Sequence, residues 1–140
     1  MAQKSVAEII TAVRDWCTRN PVKLCVLFGS QATGKARPDS DIDLAVWPSR
    51  PIEPLVKLDW LVALENLLDA DVNLAIVSPL LDPVLGFELV RDGRLIFEAE
   101  PELWLKEQSR LWHAYNDTRP LRRTEREQLR QFAEEVRRGA

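Results

Sequence analysis

The spacing of apolar positions changes several times along the chain, and each change marks an element. Val6, Ile9, Ile10, Val13 and Cys17 recur at helical spacing behind Ser5, which forms a capping box with Glu8, so a first helix is predicted over 5–19. Asn20-Pro21 ends it, because the residue before a proline disfavours the α region. "VKLCVLF" reads as a short strand closed by a turn at Gly29-Ser30, and "QATGKARPDS" as a polar loop punctuated by Gly34 and Pro38 that opens with a single helical turn. In "DIDLAVW" the alternation of a strand sends Ile42, Leu44 and Val46 to one face and Asp41, Asp43 and Ala45 to the other.

From Pro54 to Leu68, Leu55, Leu58, Leu61, Val62, Leu64, Leu67 and Leu68 give a helix that starts with proline in its tolerated first turn. "DVNLAIV", residues 71–77, is a third strand. Ser78-Pro79 offers a cap, "LLDPVLGFELVRD" reads as helix interrupted by Pro83 and stopped by Gly93, and "RLIFE" is a fourth strand. The stretch from Glu102 to Arg138 reads as two polar helices parted near "NDTRP". This order predicts an α+β fold: a small mixed β-sheet with helices packed on one face, and a helical C-terminal tail. Residues 1–100 form the main domain, and 101–140 an extension that is either part of the same compact unit or an arm for docking a partner.

Composition narrows the function classes. A chain of 140 residues, 46% hydrophobic and 29% charged, supports one sizeable core. A net charge of -3 argues against general nucleic-acid binding, which draws on a basic surface, so no direct contact with nucleic acid is expected. The charge is uneven: from Arg119 onward seven arginines face four glutamates. That tail is either a solvated helix or a docking arm. Cys17 and Cys25, too few for a disulfide framework, are expected to be buried thiols in a reducing compartment. No apolar run is long enough to span a bilayer, and the first ten residues lack the apolar region and cleavage site of a signal peptide. A cytoplasmic location without membrane contact is therefore expected.

The acids in the second strand are the candidate chemistry. Two carboxylates at i and i+2 lie on one face and repel unless a positive charge joins them, and a hard divalent cation such as Mg2+, which prefers carboxylate and phosphate oxygens, suits that place. The bland alternative is an edge strand with a solvated outer face. Upstream, Gly29 permits close backbone approach to a phosphate, and the N–H groups and hydroxyl around Ser30 are donors for its oxygens. A phosphate-cradling turn followed eleven to thirteen residues later by a two-carboxylate metal site is a layout for nucleotidyl transfer.

"GSQATGKARPDSDIDL" resembles the signature of the DNA-polymerase-β-like nucleotidyltransferases, specifically their minimal members, the MNT antitoxins paired with HEPN toxins. "LIFE" after "RDGR" and "VSP" after the third strand extend the likeness over about residues 5–100. The resemblance implies that Gly29 and Ser30 hold the β- and γ-phosphates of ATP and that Asp41 and Asp43 bind Mg2+. It further implies a third acid on a neighbouring strand, as metal ligand and general base. Asp71 is assigned that role, with Asp69 as the substitute if the register slips. In the loop, Ser40 and Lys35 are candidate nucleotide contacts, although Ser40 also suits bonding to the loop backbone. The implied activity is transfer of AMP from ATP to a tyrosine hydroxyl of a cognate HEPN RNase toxin, which neutralises it.

One departure stands out: Thr33 occupies the place where minimal members usually carry arginine, which removes a charge from the phosphate side. Lys35 and Arg37 are available to compensate. Without compensation the reading shifts to a binding-only antitoxin. Transfer to a small molecule such as an aminoglycoside is a further alternative, and it requires Asp59, Glu65, Glu88 and Asp92 to converge into an acidic pocket.

Overall fold

A computed structural model of the protein describes residues 4–34, 41–78, 83–117 and 130–137. The capping box predicted at the N-terminus is formed: the Ser5 hydroxyl accepts from the Glu8 N–H at 3.2 Å, and the Glu8 carboxylate accepts from the Ser5 N–H at 3.4 Å. Helix α1 (Val6–Thr18) follows, then strand β1 (Val22–Phe28), the short helix α2 (Gly29–Thr33), strand β2 (Ile42–Pro48) and helix α3 (Pro54–Leu68). Strand β3 (Val72–Ile76), helix α4 (Pro83–Asp92), strand β4 (Arg94–Glu98) and helix α5 (Leu103–Asp117) complete the order, and residues 130–137 form one further helix, α6. The apolar spacing read from the sequence locates each of these within a few residues. Pro79 and the stretch to Asp82, Leu121, Leu129 and most of the tail arginines lie outside the described residues.

The strands form one mixed sheet in the order β3-β2-β1-β4. β1 runs antiparallel to both β2 and β4, while β2 and β3 are parallel, with α3 as the crossover between them. Ile42, Leu44 and Val46 point to one face, as alternation predicts. There they meet Cys25 and Leu27 of β1, Ile9, Val13 and Trp16 of α1, and Trp60, Leu64 and Leu68 of α3. Trp16 and Trp60 pack edge to face at 5.4 Å between ring centres and lock the two helices together.

The helices do not lie on one face only. Leu24 and Val26 of β1 are as fully buried as their neighbours Cys25 and Leu27, so the second face is apolar too and must be covered. α4 and α5 do so: Leu89, Trp104 and Leu111 pack on Leu24, Val26, Ala45 and Trp47, with Trp47 and Trp104 at 6.1 Å. The continuous apolar run in β1 is the signal that a central strand has two buried sides. Every residue of α6 is exposed, Phe132 and Val136 included. Among the described residues no helix is long and apolar enough to cross a membrane.

Cys17 and Cys25 are both buried and unbridged, facing each other between α1 and β1. Their mutual hydrogen bond and, after it, burial push the Cys25 thiol well above its ordinary range. Both effects favour the protonated thiol in the folded chain, so their stabilising contribution is complete below the unfolded thiol pKa of about 8.5 and is lost as pH rises above it. A thiol-reactive dye is therefore expected to label neither cysteine at pH 8 until denaturant unfolds the chain. Urea titrations should show stability falling between pH 8 and 10, with the fall reduced in Cys25→Ala.

Candidate active site

β1 and β2 deliver the two sequence motifs to the same end of the sheet because they are antiparallel neighbours. Phe28, the last residue of β1, pairs with Asp43 near the start of β2, so the Gly29-Ser30 turn leaves β1 directly beside the acids. Asp43 is half-buried and Asp41 exposed, and both share the face on which Ala45 and Trp47 are buried farther along β2.

Gly29 has φ +72°, in the left-handed region that glycine enters without steric cost. Its missing side chain matters as much as its torsion angle. A Cβ built there would lie 2.1 Å from Asp43 Oδ2, so the carboxylate occupies the space that any other residue would fill. Gly29 was expected to admit a phosphate; the contact the structure shows is with Asp43. α2 then starts without a side-chain cap, leaving its first N–H groups for another acceptor, and it ends at Gly34, which is left-handed at φ 75°. The Thr33 hydroxyl donates back to the carbonyls of Gly29 at 3.4 Å and Ser30 at 3.3 Å. It closes the turn from within. Gln31, on the same short helix, is the one buried polar side chain among the described residues, and its Nε2 lacks a hydrogen-bond partner. Lys35, Arg37 and Ser40 lie outside the described residues.

The neighbouring strand brings a residue that the sequence did not single out. In the parallel register Asp43 pairs with Asn73, and the Asn73 amide donates to Asp43 Oδ1 at 3.0 Å and to Asp41 Oδ2 at 3.3 Å. Asp71 stands one step outward, level with Asp41. Its carbonyl accepts from the Ile42 N–H at 2.9 Å, and its side chain is exposed. Among the described residues no three His, Cys, Asp or Glu side chains gather closely enough to hold a metal ion. Asp41 and Asp43 are thus brought together, and Asp71 does not join them. The reason is register: the pairing of Ile42 with Val72 sets an amide, not an acid, opposite Asp43. Asp69 is the left-handed C-cap of α3 at φ 49° and precedes the ladder altogether. Only cross-strand register reveals Asn73, and a single asparagine in "DVNLAIV" carries no signal of it.

The donor set is two carboxylates, hard ligands of the kind that Mg2+ takes, while the Asn73 amide turns its NH2 group toward them and so orients the ligands rather than joining them. The pair is surface-placed. A cleft of about 630 Å³, lined by Trp47, Ile76, Val77 and Lys23 among others, opens at the opposite end of the sheet and contains none of the site residues.

Comparison with known proteins bears on this geometry. Residues 12–102, more than half of the chain, match the family model described as polymerase beta, nucleotidyltransferase. The chain belongs to that family. Among solved structures, a toxin–antitoxin complex with AMP-PNP is similar at TM-score 0.74 and 21% identity, over 86% of this chain and 97% of that one. The tri-AMPylated Shewanella oneidensis HEPN toxin in complex with MNT antitoxin matches at TM-score 0.64 and 22% identity, over 89% and 94%. The MntA-HepT toxin–antitoxin complex gives TM-score 0.64 and 22% identity over 89% and 95%. Among curated protein sequences, none matches. The family model thus shows a nucleotidyltransferase of the polymerase-beta family, and the solved structures show that the chain shares the fold of these toxin–antitoxin proteins.

Gly29 gives the sharpest test of the geometry. Gly29→Ala combines a strained left-handed residue, costing about 1 kcal/mol or more, with a clash against Asp43. It is expected to lower the melting temperature by several degrees. In an Asp43→Ala background the same substitution should cost clearly less, and a thermal double-mutant cycle measures the difference.

Proposed function

We propose that this nucleotidyltransferase is an antitoxin that transfers AMP from ATP to a tyrosine hydroxyl of a cognate HEPN RNase toxin in the cytoplasm, and so silences it. The observation that carries the reading is the meeting of Asp41, Asp43 and the uncapped Gly29-Ser30 turn at one sheet end, in a fold shared with toxin–antitoxin complexes, one of which contains an AMPylated toxin.

Each part of the site has a task that its chemistry suits. Asp41 and Asp43 would hold Mg2+, which when bound to them and to phosphate oxygens neutralises the charge that develops on the leaving pyrophosphate. The N–H groups at the start of α2 and the Ser30 hydroxyl donate to the terminal phosphates and fix them in place. Asp71, level with Asp41 and exposed at the sheet end, is the acid we assign to accept the proton of the incoming hydroxyl. Ser40 and Lys35 are proposed as further nucleotide contacts. Among the described residues the acids sit at the surface and apart from the cleft, an arrangement that suits an acceptor bringing its own binding surface, as a protein does.

Small-molecule transfer is disfavoured by the fold. Asp59 and Glu65 belong to α3 on one sheet face, Glu88 and Asp92 to α4 on the other. Glu65 is also engaged with the Val72 N–H at 3.3 Å, and Asp92 with Arg91 at 2.8 Å. No acidic pocket forms from the four.

A second reading, neutralisation chiefly by contact, has specific support: an amide, Asn73, and not an acid stands opposite Asp43, and the exposed Thr33 gives its hydroxyl to the backbone of α2. Docking by the tail is compatible with both readings, since Phe132 and Val136 of α6 are exposed one helical turn apart.

With labelled ATP, Mg2+ and the cognate toxin, label should appear on the toxin and fall at least a hundredfold in Asp41→Asn and Asp43→Asn, as expected when a group stabilising the transition state is removed. Toxin neutralisation that survives both substitutions would establish the contact reading. Asp71→Asn should slow transfer about a hundredfold at saturating ATP while leaving nucleotide affinity within threefold of the parent, measured by single-turnover kinetics and calorimetry.

A further inference from the structure

We infer that Asn73 is the positioning residue of the metal site: its neutral amide holds the two carboxylates together and keeps the site at two negative charges, so that the divalent cation is taken up chiefly together with nucleotide phosphates. The inference rests on the reading of Asp41 and Asp43 as the metal-binding pair.

The geometry around Asp43 is the starting point. One oxygen, Oδ1, accepts from Asn73, and the other, Oδ2, lies in the gap left by the absent Gly29 side chain. The carboxylate is therefore fixed from both sides. Asn73 also reaches Asp41 Oδ2, so a single NH2 group spans the pair. Both neighbours are acceptors, which orients the amide with its nitrogen toward them. The backbone beneath Asn73 is held as well: Glu65 accepts from the Val72 N–H, and the ladder runs unbroken from Ile42–Val72 to Val46–Ile76.

Charge completes the argument. Among the described residues neither acid has an ion-pair partner, so the pair is oriented but not neutralised. An amide supplies direction without charge. A third carboxylate in its place would attract a free divalent ion more strongly and would also repel its two neighbours until that ion arrived. With two charges only, a bare cation is held weakly, and the phosphates of a nucleotide supply the remaining negative charge and oxygen ligands.

The test uses the full chain and Mn2+, whose unbound fraction is read directly by electron paramagnetic resonance, with and without a non-hydrolysable ATP analogue. In the parent, the analogue should strengthen Mn2+ binding by about tenfold or more, one unit of charge being worth roughly that near a protein surface. Asn73→Asp should bind bare Mn2+ about tenfold more tightly than the parent, with the gap shrinking to under threefold once the analogue is present. Asn73→Ala, which keeps the charge but loses the clamp, should weaken Mn2+ uptake in both conditions by about threefold to tenfold. Asn73 is exposed on the sheet face, so both variants should fold, and circular dichroism checks this. If both bind Mn2+ as the parent does, in both conditions, Asn73 is a bystander and the inference is overturned while the site reading stands. If the parent takes up no Mn2+ even with the analogue, or takes it up equally in Asp41→Asn and Asp43→Asn, the site reading itself fails and the inference with it.

Discussion

Asp41 and Asp43 carry like charges on one face of β2, and keeping them there costs free energy that the surrounding chain must offset. Three elements contribute. The turn after β1 supplies a glycine whose missing Cβ makes room for one oxygen, β3 supplies an amide that bonds both acids, and the rest of β2 anchors the strand through fully buried Leu44, Ala45 and Val46. Hydrogen bonds to charged groups are worth about 1.5–3 kcal/mol when shielded, and less at this exposure. They orient the pair more than they stabilise the fold. The stability comes from the two apolar faces behind it.

Those faces explain why so small a domain holds a rigid site. β1 is buried on both sides, with α1 and α3 on one and α4 and α5 on the other, so the strand that leads into Gly29 cannot shift without disturbing both cores. Such packing is sensitive to displacement of even a methylene. α3 has a second function. As the crossover between β2 and β3 it sets their parallel register, and its Glu65 side chain bonds the first N–H of β3. Register then decides which β3 side chain meets Asp43.

The architecture also bears on the kind of acceptor the site serves. The acids stand at the open end of the sheet, and the apolar cleft lies at the other end, beside Trp47 and Ile76. Among the described residues the site has few walls of its own. It fits a nucleotide, whose phosphates need cations and N–H donors, better than a small acceptor that would need enclosure.

Local pattern carried much of this. The capping box, the alternation that sends Asp41 and Asp43 opposite to Ile42 and Leu44, and the glycine turn before them are all legible in the sequence, since each depends on residues a few positions apart. Other features depended on contacts across the fold. The helices cover both faces because β1 is central, which its own apolar run hints at but only the strand order settles. Gly29 makes room for a carboxylate fourteen residues away, and Asn73 reaches acids 30 and 32 positions back in the chain. Sequence by itself therefore determined the elements and the two acids, because periodicity and turn chemistry are local. Tertiary structure alone decided what surrounds those acids, because strand register is set by packing between segments that the sequence keeps apart.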